Sequence, residues 1–133
     1  MILLDHTVLP DLRNRPVLLD LAAYAPANDP YGRITVPALC LVAASTKGQH
    51  GLHDALARLD GTDMPELTAA EADGIDRLMA RGLPWEYAHP VQILYGSGPL
   101  AHDHGAHVIV SLTPAVYDGF GVSVVHADTL EGY

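Results

Sequence analysis

The chain has a single cysteine, Cys40, so an intrachain disulfide is excluded. It lies inside the apolar run VPALCLVAA, where a small thiol reads as a core residue. That usage fits a reducing, cytoplasmic setting. No stretch approaches the ~20 apolar residues needed to cross a bilayer, so no membrane contact is expected. The first residues carry no basic segment and their apolar run breaks at Asp5, so no secretory signal is expected either. Basic residues are scarce, seven Lys and Arg against sixteen Asp and Glu, for a formal charge of −9 with the eight histidines neutral. Such a field repels a phosphate backbone, which disfavours general nucleic-acid binding and suits a basic partner. Internal repeats and long linkers are absent.

What is present suits one folded domain over residues 1–133. The length and the 49% hydrophobic content allow a real core and argue against disorder. ILLD (2–5) reads as a buried strand. RPVLLDLAAYA (15–25) has helical spacing of apolar residues, ended by a Pro, Asn, Asp and Gly cluster. RITV (33–36) reads as a second strand, and Pro37 opens a helix through PALCLVAAS towards Gly48. GLHDALARLD (51–60) carries Leu52, Leu56 and Leu59 on one helical face. DMPEL (63–67) is a short strand limited by Pro65. Residues 68–82 form a helix with Thr68 and Glu71 in capping-box positions and Gly82 at its end. A further helix covers 85–96, with Pro90 in its first turn or at a kink. Residues 96–105 form a loop with a last helical turn. AHVIV (106–110) is a strand, 113–121 a short helix, and VSVVHA (122–127) the final strand before an acidic tail.

Strands alternating with helices or helix pairs imply parallel pairing and a three-layer α/β fold, with a central, mostly parallel sheet. Ligands in such sheets sit beyond the carboxyl ends of strands. Asp5, the region after Val36, and Ser111 to Thr113 occupy such ends. They predict a pocket containing Asp5, Thr7, Ser111 and Thr113, with Tyr87 or His89 on its wall.

Three stretches, LLDHTVL, ITVPALCLVAAS and AHDHGAHVIVSLTPAVYDGFGVSVV, come in the order and spacing that resemble a PIN domain. The resemblance implies the PIN-like three-layer fold. It also implies a Mg²⁺- or Mn²⁺-dependent ribonuclease, often the toxin of a toxin–antitoxin pair, with three or four carboxylates around hard cations. Asp5 matches the first acid. The place of the second holds Val42, Ala43 and Ala44. Tyr87 stands nearest the third, with Glu86 beside it, and Ser111 and Thr113 stand at the fourth. One carboxylate holds a hard cation weakly, so the site is degenerate. The expectation is a PIN-like, non-catalytic protein-interaction module. One alternative is a Mg²⁺- or Mn²⁺-dependent ribonuclease of the toxin–antitoxin type, using Asp5 and Glu86.

The run HDHGAH offers His102, His104 and His107 as a transition-metal set, and a His-based metal-binding protein is the other alternative. A solvated polar helix end explains the same residues. His89 beside Asp5 suggests acid–base chemistry, against a hydrogen-bonded packing histidine. GSGP (96–99) lacks the Lys-Ser/Thr pair of a P-loop and reads as a turn. Leucine stripes at Leu18, Leu21 and Tyr24, and at Leu52, Leu56 and Leu59, suggest a homodimer, or a basic, antitoxin-like partner covering the same surface.

Overall fold

Neighbouring residues on a strand face opposite sides of a sheet, and the first strand shows what that does here. In the computed structural model, which describes residues 1–24, 33–46, 51–96 and 107–132, Leu3 and Leu4 are both fully buried but in different cores. Ile109 and Val110 divide in the same way. A strand covered on both faces must be apolar at every position, which is why ILL and VIV carry no alternation.

The described strands are β1 (Ile2–Leu4), β2 (Ile34–Thr35), β3 (Thr62–Asp63), β4 (Val108–Ser111) and β5 (Val124–His126). They form one sheet in the order β3-β2-β1-β4-β5, every pair parallel. Helices α1 (Pro16–Tyr24), α2 (Ala38–Ser45) and α3 (Leu52–Ala57) contribute to the core that holds Leu4 and Val110. Helices α4 (Ala69–Ala80) and α5 (Trp85–Gly96) cover the opposite face over Leu3 and Ile109. The three-layer α/β expectation is therefore met. Among the described residues, no helix is long and apolar enough to cross a membrane.

Local chemistry explains the helix ends. The Thr68 side chain accepts from the Glu71 N–H at 3.1 Å, so half of the expected capping box forms. The other half does not, because the Glu71 carboxylate turns to His89. At the far end Leu83 N–H bonds Leu78 C=O and Gly82 N–H bonds Met79 C=O, a Schellman closure. Gly82 takes the left-handed φ of +97° that this closure needs.

Several boundaries differ from the sequence reading. The third strand lies at Thr62–Asp63 rather than 63–67; Pro65 has no N–H to extend the ladder. The helix expected over 113–121 is only a 3-10 turn, Pro114–Tyr117. Two elements were not foreseen: a 3-10 turn at Leu9–Asn14 and a short helix, α6 (Ala127–Leu130), in the acidic tail. The tail is held because Glu131 accepts from Val17 N–H and Leu18 N–H at 3.0 and 3.1 Å. It thus caps α1 from the other end of the chain. Asp128 and Asp11 both pair with Arg15 beside it. The loop and last helical turn expected at 96–105, with the GSGP turn at 96–99, lie outside the described residues from 97 onward.

Of the six stripe residues, Leu18 and Leu56 are buried, and Leu21, Leu52 and Leu59 pack against the same core. Tyr24 alone is open, at 80% exposure.

Candidate functional site

In this strand order, β1 lies between β2 and β4, which lead to opposite halves of the sheet. The crevice beyond the carboxyl ends of two such strands is where open parallel sheets place ligands. Asp5 follows β1 and Ser111 ends β4.

Asp5 is fully buried. Its Oδ1 accepts from the Thr7 backbone N–H at 3.0 Å and from the Thr7 hydroxyl. Its Oδ2 accepts from the Tyr117 hydroxyl at 2.7 Å. The Thr7 hydroxyl also accepts from Leu112 N–H at 2.9 Å, which ties β1 to the chain leaving β4. Since the single Thr7 proton goes to Asp5, Ser111 Oγ is the donor in its 3.3 Å contact with Thr7 Oγ1. Ser111 in turn accepts from Thr113 N–H at 3.0 Å, and Tyr87 OH reaches Thr113 Oγ1 at 3.1 Å. A continuous chain of hydroxyls thus runs from the buried carboxylate to the exposed Thr113.

Aromatic rings wall this cluster. Tyr87 meets His6 edge-on at 4.7 Å and Tyr117 edge-on at 5.4 Å. Burial, and then the Asp5 charge, push the Tyr117 phenol far above its ordinary range. It therefore remains a donor to the carboxylate. Cys40 borders the same region: burial and then the Asp5 charge raise its thiol well above the usual value, with Glu86 adding to the rise. Such a thiol is no nucleophile. It has a structural task instead. Pro90 sits inside α5 and has no N–H for the Glu86 carbonyl four residues earlier; Cys40 Sγ donates to that carbonyl at 3.3 Å.

The structure brings together Asp5, Thr7, Ser111, Thr113 and Tyr87, as the strand ends imply. His89 has other partners. Its Nδ1 accepts from Leu39 N–H at 3.2 Å, serving an orphan donor in the first turn of α2, whose own N-cap, Pro37, has no capping side chain. Its Nε2 faces Glu71 Oε2 at 2.9 Å. Both ring nitrogens are committed, so His89 is the packing histidine and not an acid–base group at Asp5. Glu86 is half-buried in the first turn of α5. His107 is half-buried just before β4, while His102 and His104 lie outside the described residues. Among the described residues no three His, Cys, Asp or Glu side chains are grouped to hold a metal ion. Tyr117 and His6 were missed by sequence reasoning. The signal for Tyr117 was its place one turn after Pro114, in the segment that follows the strand ending at Ser111.

Mg²⁺ or Mn²⁺ asks for several unencumbered oxygens. Here the Asp5 carboxylate meets three donors, and its neighbours Thr7, Ser111 and Thr113 offer hydroxyls rather than further carboxylates. The donor set does not fit a hard-cation centre.

The fold and this crevice define a parallel α/β domain with a hydroxyl-lined switch point and one buried acid. Compared with protein-family models, curated proteins and solved structures, the chain shows no match.

Proposed function

We propose that this chain is a PIN-like domain that has given up metal-dependent chemistry and works as a non-catalytic module binding a basic protein segment. The observation that carries the reading is the state of Asp5: fully buried, with both oxygens engaged by Thr7 and Tyr117. A carboxylate so engaged has no open face for a cation or for an attacking water. The Thr7–Ser111–Thr113–Tyr87 chain supports the same reading, since hydroxyls that satisfy one another hold the strand ends without a metal. The formal charge of −9 favours a cationic partner. The leucine stripes that suggested a homodimer are largely used inside the chain, so the reading rests on charge complementarity instead.

The test is cleavage of single-stranded RNA with millimolar Mn²⁺ present. The expected result is no cleavage above the metal-only background, in the native protein and in Asp5→Asn alike. Cleavage that Mn²⁺ stimulates and Asp5→Asn abolishes would replace this reading with the ribonuclease that uses Asp5 and Glu86.

A further inference from the structure

On the α4–α5 side of the sheet, away from the Asp5 cluster, lies an open pocket of about 500 Å³. It is lined by Met1, Thr35, Asp63, Met64, Pro65, Glu71 and Ile93. Thr35 and Asp63 are register partners on β2 and β3, and Thr35 also pairs with Leu3, whose side chain belongs to the α4–α5 core. The register therefore turns both side chains towards that side.

Three features distinguish this pocket. First, Thr35 is 6% exposed as a residue, and it lines the pocket with a hydroxyl that pairs with no side chain or backbone group among the described residues and is open to solvent. Second, among the described residues the Glu71 carboxylate pairs only with His89. Because His89 Nδ1 accepts from Leu39 N–H, the imidazole proton sits on Nε2, and the ring faces Glu71 as a neutral donor. Third, the other carboxylate is already neutralised: Arg33 holds Asp63 at 2.8 and 2.9 Å through both oxygens. A carboxylate paired only with a neutral imidazole among the described residues, a pocket-lining hydroxyl and a wall of Met, Pro and Ile side chains remain.

We infer that this pocket is a binding site for an alkylammonium group, supplied by a lysine side chain of the basic partner. An ammonium is a compact charge with three donors. One donor answers Glu71 Oε1 and another the Thr35 hydroxyl. The apolar stem of a lysine lies against Met64, Pro65 and Ile93, as such stems do on apolar surface. The identity of the source rests on the partner reading above, whereas the chemistry of the pocket does not.

The test uses n-butylammonium chloride as the probe, n-butanol as the neutral control, and amide chemical shifts of the full chain as the readout. The ammonium is expected to shift Thr35, Met64 and Glu71 saturably, and n-butanol to act at least about fivefold more weakly, as a charge-assisted contact requires. Thr35→Val, which keeps the shape and β-branching of the strand, is expected to weaken binding about fivefold, the order of one lost hydrogen bond. Glu71→Gln is expected to abolish it. Equal response to n-butanol, absence of saturation, or unchanged binding in a folded Thr35→Val protein overturns the inference. RNA cleavage decides the non-catalytic reading separately. A silent nuclease assay with no ammonium binding removes this pocket alone; Mn²⁺-dependent cleavage alongside ammonium binding removes the parent reading and leaves an amine site.

Discussion

Single side chains in this protein carry tasks that their neighbours create. Asp5 is an acid on an apolar strand end, and its burial is tolerable because three donors meet it. Removing one of them exposes the cost. Tyr117→Phe is expected to destabilise the fold by about 2 kcal/mol, the usual range for a hydrogen bond to a charged group, read as a lower urea midpoint with an unchanged slope. An unchanged midpoint would mean that water replaces the phenol. Cys40 is the second case. Its raised thiol and complete burial predict no labelling by a disulfide reagent in the native state and full labelling in denaturant. Prompt labelling of the native protein would show that the Pro90 region of α5 opens readily. Cys40→Ala keeps the site apolar but strips the Glu86 carbonyl of its donor, and is expected to cost about 1–3 kcal/mol.

Elements here are fastened by residues distant in sequence. Helix α2 begins at a proline without a capping side chain and borrows His89 from α5. Helix α1 has no acid in its first turn and borrows Glu131 from the C-terminal end. Glu131→Ala is therefore expected to lower stability by about 1 kcal/mol, the value of a lost cap, and to speed amide exchange at Val17 and Leu18 selectively. Uniform exchange across the chain would deny the cap. The β2–β3 edge depends on Arg33 and Asp63. Arg33 holds the Asp63 carboxyl below its ordinary range. A depressed folded value stabilises above the unfolded one and is lost as pH falls through the folded one. Acidification below the ordinary carboxylate range is thus expected to loosen β3 first, seen as early loss of the Thr62 and Asp63 amide signals. Because the Asp63 side chain is half-exposed, solvent and salt keep the effect modest.

At the scale of the whole molecule, the acid excess sets long-range behaviour. Single-stranded RNA without metal should show no retention at micromolar protein in physiological salt, and mobility shift checks this. Tight, salt-sensitive retention would overturn the argument from net charge. The alternation of apolar strands and helices was legible in the sequence, because period and punctuation are local: ILLD and AHVIV read as strands, and Thr68 and Gly82 bracket a helix. The strand ends were legible too, and they located Asp5, Thr7 and Ser111 before any contact was seen. What lay beyond the sequence was anything that depends on which distant atom arrives. No local pattern told that Tyr117 would seal Asp5, that Glu71 would forsake its capping box for His89, or that an acidic tail would become the cap of α1. Nor did spacing separate His89 as a ligand-facing base from His89 as a brace between helices. That was decided when parallel packing set its ring between the first turn of α2 and a carboxylate of α4, where each nitrogen could serve only one partner.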